Sequence, residues 1–577
     1  MSKSYKVVET KKGSPNKVAP AKKSKQSQQS EKTTERRRST HWSLIAVGAL
    51  LAVMAVQMVW MARVKSATMD EQNHITRGVV YLRTGDLRLA RVHPPLINVI
   101  SALPLALDGS LTLPLEHPSW ENRHLDLFAS EFLWTANPNS HSIVFRARLP
   151  IIALTLLLGI VVYAWARELY GQAAGLLALT LFAFDPNVIA HGSLATNDLG
   201  LACFATLSLY TFWRWLRRPT WQRAVVASVA FGLAQASKFS AVFLIPAIIL
   251  IALAHWLMTP VEKRPTLRPI WLLAGFAVAV ITGAVIVWAI YGFQTGRLGA
   301  QGVTVPAADY LNEIRLIINR VGKGNPTFLL GAYSETGWWY YFPFAFLVKT
   351  PLPTLLLIGA SFVYTWRQRT LRQSLALLIP VAIYFAISIA SSLNIGYRHL
   401  LPALVLLIIF AAQVAQIGWH WRSKLAWGVA VLLAWLAVRT LMIGPDYLAY
   451  FNEAAGGPSN GYKVLVDSNL DWGQDLIGLR EYMQREGIES VRLSYFGSAD
   501  PAAYGIKYEP LPSYPRYLWQ QPGFPPFLLE PGPGVYAISA TNLQGALLPI
   551  HNMYGWFRER KPDAVIGHSI FVYRVRR

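Results

Sequence analysis

Asp70 and Glu71 are adjacent carboxylates a few residues past the end of the first long apolar run of this chain. Two like charges at a membrane surface repel each other and lose part of their water. Both effects raise a carboxyl pKa and fit one of the pair to serve as a general base. The plain alternatives are a solvated loop acid and a helix cap. A third acid, Asp198, ends the stretch His191-Gly192-Ser193-Leu194-Ala195-Thr196-Asn197-Asp198 and opens another apolar run. It too can cap a helix, but acids at membrane depth are costly and mark functional sites.

Cations gather at the same helix ends: Arg146, Arg148, Lys238, Lys349, and Arg398 with His399. On the topology derived below they lie on the outer side, where Lys and Arg are disfavoured. Either they pair with the acids, or they bind an anionic group such as phosphate. The loop that carries Asp70 runs Met69-Asp70-Glu71-Gln72-Asn73-His74, then Gly85-Asp86, then His93-Pro94-Pro95-Leu96. Trp338-Trp339-Tyr340-Tyr341-Phe342 reads as an interfacial aromatic belt or a sugar-stacking surface. Asp467-Ser468-Asn469-Leu470-Asp471-Trp472-Gly473-Gln474-Asp475 is dense in acids but lacks the Gly and distal Glu of an EF-hand. Asp475 is placed to cap the helix that follows. No spacing marks a metal site, so no cofactor is expected, although His and acid side chains in the outer loops would suit a divalent metal.

Membrane helices must position these groups. Of the 577 residues 53% are hydrophobic and 15% charged, against about 25% charged in soluble domains. A bilayer core of about 30 Å needs about 20 apolar residues. Such runs lie at 43–62, 148–166, 172–190, 196–214, 223–237, 240–258, 270–292, 344–364, 373–390, 399–418 and 424–443. With the N-terminus inside, Lys or Arg clusters fall on the inner connections at 214–223, 263–268, 367–372 and 421–424, as the positive-inside rule requires. The first 42 residues hold twelve Lys or Arg against Glu9, Glu31 and Glu35. They read as a disordered basic tail that sets topology and meets anionic lipid, not as a nucleic-acid binder. The run at 43–62 is an uncleaved anchor, because the tail is too long for a signal peptide. The single cysteine, Cys203, allows no intrachain disulfide. Residues 444–577 are polar and rich in Pro and Gly. Short β-like runs at 464–466, 491–495, 535–539 and 570–573, with a helix at 476–485, predict a small α/β domain.

The Asp70-Glu71 pair after the first span, then Gly85-Asp86 and His93-Pro94-Pro95-Leu96, resembles the dolichyl-phosphate-mannose protein mannosyltransferase superfamily. The bacterial aminoarabinose transferases of lipid A share its GT-C fold. Lys349-Thr350-Pro351-Leu352-Pro353, Asn394-Ile395-Gly396-Tyr397-Arg398-His399-Leu400-Leu401-Pro402 and Asp471-Trp472-Gly473-Gln474-Asp475-Leu476 are similar to a bacterial branch. The likeness spans roughly residues 43–480. It implies an α-helical polytopic protein of about eleven transmembrane helices. A GT-C-like catalytic module would occupy 43–443, with outer loops 63–147 and 292–343. The tail 1–42 would be cytoplasmic, the domain 444–577 extracytoplasmic, and the location a bacterial inner membrane. The implied reaction moves a sugar from a polyprenyl-phosphate donor to a glycan, lipid or protein hydroxyl with inversion. Asp70 would be the general base, with Glu71 and Asp198 as further catalytic acids. His93, Arg148, Lys238, Lys349, Arg398 and His399 would bind substrate, the cations stabilising the departing phosphate. The chain lacks a β-trefoil module in the loop between spans seven and eight, which argues against a protein acceptor.

Two other classes compete. A transporter or lipid flippase would place ionisable groups near the bilayer midplane on broken helices, often with internal repeats. Here they cluster at helix ends and no repeat is visible. A non-catalytic envelope assembly protein would tolerate change at Asp70 but not in 444–577.

Overall fold

The computed structural model describes residues 2, 4–8, 25–89, 93–259, 269–299, 302–417, 424–515 and 531–576. Met1–Gly48 and Ala49–Arg577 are two compact units. Of the tail expected to be disordered, residues 9–24 lie outside the described residues, and helical backbone starts at Lys25 in the helix Lys25–Val64. The basic inner connection at 263–268, and most of that at 421–424, also lie outside them.

All eleven apolar runs carry helices, but they differ in kind. By length and composition, seven helices can cross a membrane: His41–Val64, Ser140–Tyr170, Phe239–Met258, Leu273–Ile290, Leu371–Ala390, Tyr397–Gln416 and Lys424–Ile443. Two further runs are bent pairs, Gln172–Ala183 with Pro186–Gly192 at 65° and Tyr341–Lys349 with Leu352–Gln368 at 112°, so the count among the described residues reaches nine. Proline explains both breaks, because it disfavours helix in the residue before it and starts a new helix well. At the first break Asp185 caps the second segment, accepting from Asn187 N and Val188 N at 2.9 and 3.0 Å. The remaining two runs fall short of the expectation of about eleven spans. Asn197–Arg217 opens on Asn197 and Asp198 and closes on Arg214 and Arg217, and Trp221–Gln235 has only 15 residues.

The chain is a multi-pass membrane protein. Leu273, Ile281 and Val285 on one helix are exposed, as a lipid-facing surface requires, whereas Leu401, Leu404, Val405 and Ile408 on another are fully buried. Outside the spans, the helices Glu71–Thr84 and Leu96–Ala106 cross at Gly78, where a Cβ would lie 2.0 Å from the Asn98 carbonyl oxygen. Only glycine permits that approach.

The C-terminal region forms a five-stranded sheet in the order Tyr508–Pro510, Val491–Ser494, Gly534–Ser539, Ile570–Val575, Ala564–Ile566. The first three strands are parallel and the last two pair antiparallel, with Ala537 opposite Val572. The helix Leu476–Arg485 precedes the sheet, as expected. The expected strand at 464–466 is not one. Val464 lies in a turn, its carbonyl accepts from Leu330 N at 3.0 Å, and Val466 packs on Phe328. The sheet does not have a core of its own. Leu479, Leu493, Ala537 and Val572 share one buried cluster with Ile75, Val79, Phe128 and Ile143 from the outer-loop elements.

Candidate active site

Residues 65–70 leave the first helix and are laced to the C-terminal region. Ser66 N donates to Gln474 O and Met69 N to Trp472 O, both at 2.9 Å. The Ser66 hydroxyl donates to Gly473 O at 3.0 Å and accepts from Leu476 N at 3.0 Å. The Ser498 hydroxyl donates to Met69 O at 2.7 Å. Lys65 pairs with Asp446 and Asp475. Burial alone would lower the Lys65 pKa, but these two carboxylates raise it. Asp475 therefore is not the cap expected from sequence. It stands at the cap position without a cap bond, and takes Lys65 and the Ser569 hydroxyl instead.

Asp70 likewise occupies the cap position of Glu71–Thr84 without capping it. Its Oδ2 accepts from Arg398 Nη1 at 2.8 Å. Arg398 Nη1 is also 3.5 Å from Asp198 Oδ2, and Asp198 Oδ1 accepts from Lys238 Nζ at 2.6 Å. The result is a chain of alternating charge, Asp70–Arg398–Asp198–Lys238, assembled from four separate helix ends. Arg398 sits in the tight turn Tyr397–Leu400, and its guanidinium lies 4.2 Å from the Trp472 ring centroid. Ser468 and Asn469 fix that turn: the Ser468 hydroxyl donates to Ile395 O, and Asn469 Oδ1 accepts from Tyr397 N at 2.9 Å. Gly396, at φ +134°, is required there, because a Cβ would stand 2.2 Å from Ser468 Oγ.

The adjacent acids do not raise each other's pKa as the sequence suggested. For Asp70, burial acts to raise it, but Arg398 and then His74 outweigh burial and hold the carboxyl below its usual 3.8. For Glu71, burial is again the largest influence and is outweighed by Arg148, leaving the carboxyl below 4.5. The two side chains face different partners. Glu71 is fully buried and meets Arg148 through Nε at 2.8 Å and Nη2 at 2.7 Å. It also accepts from Thr68 N and Ala195 N, each at 2.8 Å. Arg148 donates to the carbonyls of Ala62, Lys65 and Ser66 at 2.8 Å, so its N–H groups are all engaged within the protein.

Arg148 was expected among the substrate-binding cations. It closes the C-terminal end of the first helix instead. Lys349, also expected to bind substrate, is buried, donates to Leu448 O at 2.9 Å and to Asn469 O, and lies 4.7 Å from the Phe451 ring centroid. It pins the 112° bend to the C-terminal region. Arg146 pairs with Asp108 at 2.6 Å on the outer loop.

Asp70, Asp198, Lys238, Arg398, His93 and His399 do come together, each within electrostatic reach of Asp198. His74 Nδ1 lies 2.9 Å from Asn98 Oδ1, and its ring centroid is 5.4 Å from that of His93. Burial, then repulsion by Arg77, lowers the His74 pKa to about 4. Burial, then His74, drives His93 well below its usual value, so both rings are neutral at pH 7. His93 Nδ1, His399 Nε2, Arg398 Nε and both amide atoms of Asn197 are buried without a hydrogen-bond partner among the described residues. Buried polar groups are normally paired, so this cluster around Asp198 has the character of a site for a polar ligand.

Sequence reasoning passed over Asp467, which interacts with both Arg398 and Asp70. It has φ +59°, a left-handed conformation that a non-glycine residue adopts only under constraint. Burial pushes its carboxyl up to about 7, with Arg398 opposing. The one signal available was the acid-dense stretch in which it lies. Among the described residues, no three His, Cys, Asp or Glu side chains are grouped to hold a metal ion.

Residues 140–296 match the dolichyl-phosphate-mannose-protein mannosyltransferase family, a stretch that includes Asp198 and Lys238. No curated protein matches the sequence. Among solved structures, ArnT from Cupriavidus metallidurans bound to undecaprenyl phosphate is similar at 14% identity and a TM-score of 0.50, over 92% of this chain and 98% of that one. The apo form of the same protein gives 12% identity and a TM-score of 0.48, over 93% and 98% of the two chains. The oligosaccharyltransferase of Archaeoglobus fulgidus gives 14% and 0.36, over 70% and 54%. The family match and the ArnT likeness support the resemblance read from the sequence: the chain has an ArnT-like GT-C fold, with a small C-terminal sheet region.

Proposed function

We propose that the protein is an inner-membrane glycosyltransferase that moves a sugar from a polyprenyl-phosphate donor to an acceptor hydroxyl at the outer face, with inversion. The observation that supports it most is the chain Asp70–Arg398–Asp198–Lys238 at converging helix ends. A polyprenyl phosphate is the ligand of the ArnT structure that shares this fold, which supports the donor class. The N-terminus is cytoplasmic in this reading and the sheet region extracytoplasmic, because Lys and Arg clusters fall on alternate connections.

Lys238 and Arg398 receive the donor phosphate, a charge-assisted contact of the kind that stabilises a leaving group. The acceptor oxygen attacks the anomeric carbon from the face opposite the phosphate. Its proton passes to an Asp70 oxygen as the new C–O bond forms. The bond from the anomeric carbon to the phosphate oxygen breaks, and that oxygen keeps the electron pair in polyprenyl phosphate. His93 and His399, with Asn197, offer hydrogen bonds to sugar hydroxyls. Asp198 holds both cations in register. Glu71 and Arg148 are positioning residues: they fix the start of the helix from which Asp70 projects. No divalent ion enters this scheme, because Lys238 and Arg398 supply the positive charge.

Broken helices also occur in transporters, and this chain has two. The alternating charge pairs lie at helix ends rather than along those breaks, which favours the enzyme. The test supplies polyprenyl-phosphate sugars and a membrane extract to purified protein and measures free polyprenyl phosphate. Release by the intact protein and none by Asp70→Asn, with the variant folded and still binding donor, supports the reading. Equal release by both removes Asp70 as base, and no turnover across a broad donor panel counts against the transferase.

A further inference from the structure

Arg398 serves two carboxylates through one nitrogen, Nη1, at 2.8 Å from Asp70 and 3.5 Å from Asp198. Its Nε has no hydrogen-bond partner among the described residues. One face of the guanidinium lies on the Trp472 ring, so hydrogen bonding is confined to its edges. We propose that Arg398 is a latch, which holds Asp70 out of service until the donor's phosphate takes the carboxylate's place on the guanidinium. The latch rests on the glycosyl-transfer reading above and adds an order of events to it.

The two acids differ in what they keep when Arg398 turns away. Asp198 retains Lys238 at 2.6 Å. Among the described residues, Asp70 retains no ion-pair partner. The charged and titratable groups facing it are His74 and Arg77 on its own helix, Asp198, Arg398, and Asp467 from the C-terminal region. His74 is neutral at pH 7. Arg77 directs its Nε to the Leu89 carbonyl at 3.1 Å. Once Arg398 is withdrawn, the two neighbouring acids act to make Asp70 a stronger base. A carboxylate ion-paired to arginine is a poor base, and the same group released is a better one. A phosphate suits the exchange, because a guanidinium edge meets it through two parallel hydrogen bonds. Asp70 is one-third exposed, so it is not locked in by packing. Proton abstraction thus waits for donor, and acceptor is not activated in its absence.

Competition between Asp70 and phosphate for one guanidinium is measurable without turnover. Undecaprenyl phosphate is titrated onto the full-length protein in nanodiscs, as wild type, Asp70→Asn, Arg398→Gln and the double variant. The latch predicts that Asp70→Asn binds about tenfold more tightly than wild type, or about 1.4 kcal/mol. It also predicts that this gain disappears in the Arg398→Gln background. An unchanged Kd in Asp70→Asn overturns the latch, as does a gain that survives in Arg398→Gln, which would be simple charge removal. If wild type does not bind undecaprenyl phosphate, the latch and the transferase reading fall together. If it binds and turns over but Asp70→Asn gains nothing, only the latch falls. A second measurement is independent of the variants. The acid limb of kcat reports the donor-loaded enzyme and that of kcat/KM the free enzyme. The latch places the kcat limb at the higher pH, and coincident limbs count against it.

Discussion

Glu71 and Arg148 meet in a two-pronged ion pair from which solvent is excluded on both sides. Removing one member leaves the other charged and unpaired in the interior, which costs about 3–5 kcal/mol. Arg148→Met is therefore expected to lower the thermal unfolding temperature and the yield of monodisperse protein. The molecules that do fold should bind undecaprenyl phosphate as wild type does. Lost binding with unchanged stability would mean that Arg148 touches substrate.

Gly78→Ala should act on the site from a distance. Its new methyl group would have to displace the Asn98 carbonyl, 2.0 Å away, and Asn98 is the partner of His74. Overpacking of this kind costs about 1–3 kcal/mol. Donor turnover is expected to fall with only a small drop in the unfolding temperature, and full activity in the variant would argue that the two outer helices can shift freely.

Asp467 carries a pH signature. Its folded pKa of about 7 lies above the ordinary 3.8, so folding favours the protonated acid. The associated stability is complete below about 3.8 and is lost as pH rises through about 7. Asp467→Asn cannot ionise. It should match wild type near pH 3 and unfold at a higher temperature than wild type at pH 8. Parallel pH profiles for the two proteins would remove the burial argument.

Chelation provides a fourth check. With Lys238 and Arg398 acting on the phosphate, turnover is expected to survive EDTA within about twofold, whereas a metal-assisted reaction would lose orders of magnitude and recover with added divalent ion. Lys238→Met should instead weaken undecaprenyl phosphate binding.

Much of this was legible in the residues. Apolar runs of span length gave helices at all eleven positions, because burial of apolar surface in lipid depends on composition more than on partners. Asp70, Asp198, Lys238 and Arg398 stood out because a charge at an outer helix end needs a reason. What was not legible depends on contacts between distant segments. Glu71 and Asp70 have the same local context, yet one turns to Arg148, 77 residues away, and the other to Arg398, 328 residues away. The strand expected at 464–466 has β-branched residues but only the single bond from Leu330 N to Val464 O, and without a partner strand among the described residues its propensity makes no ladder. Asp467 looked like one acid among several until the fold set it beside Arg398.

The lacing of Ser66 to Gly473 joins residues 407 positions apart in the chain. During synthesis the segment that carries Asp70 leaves the ribosome early, and its partner emerges only after every membrane helix. A partly made chain, or one cut short after Ile443, lacks the strip against which residues 66–69 are held and the Trp472 ring beneath Arg398. Assembly of the reactive centre thereby waits for the C-terminal region, so a nascent or truncated copy in the bilayer should be inert toward donor lipid.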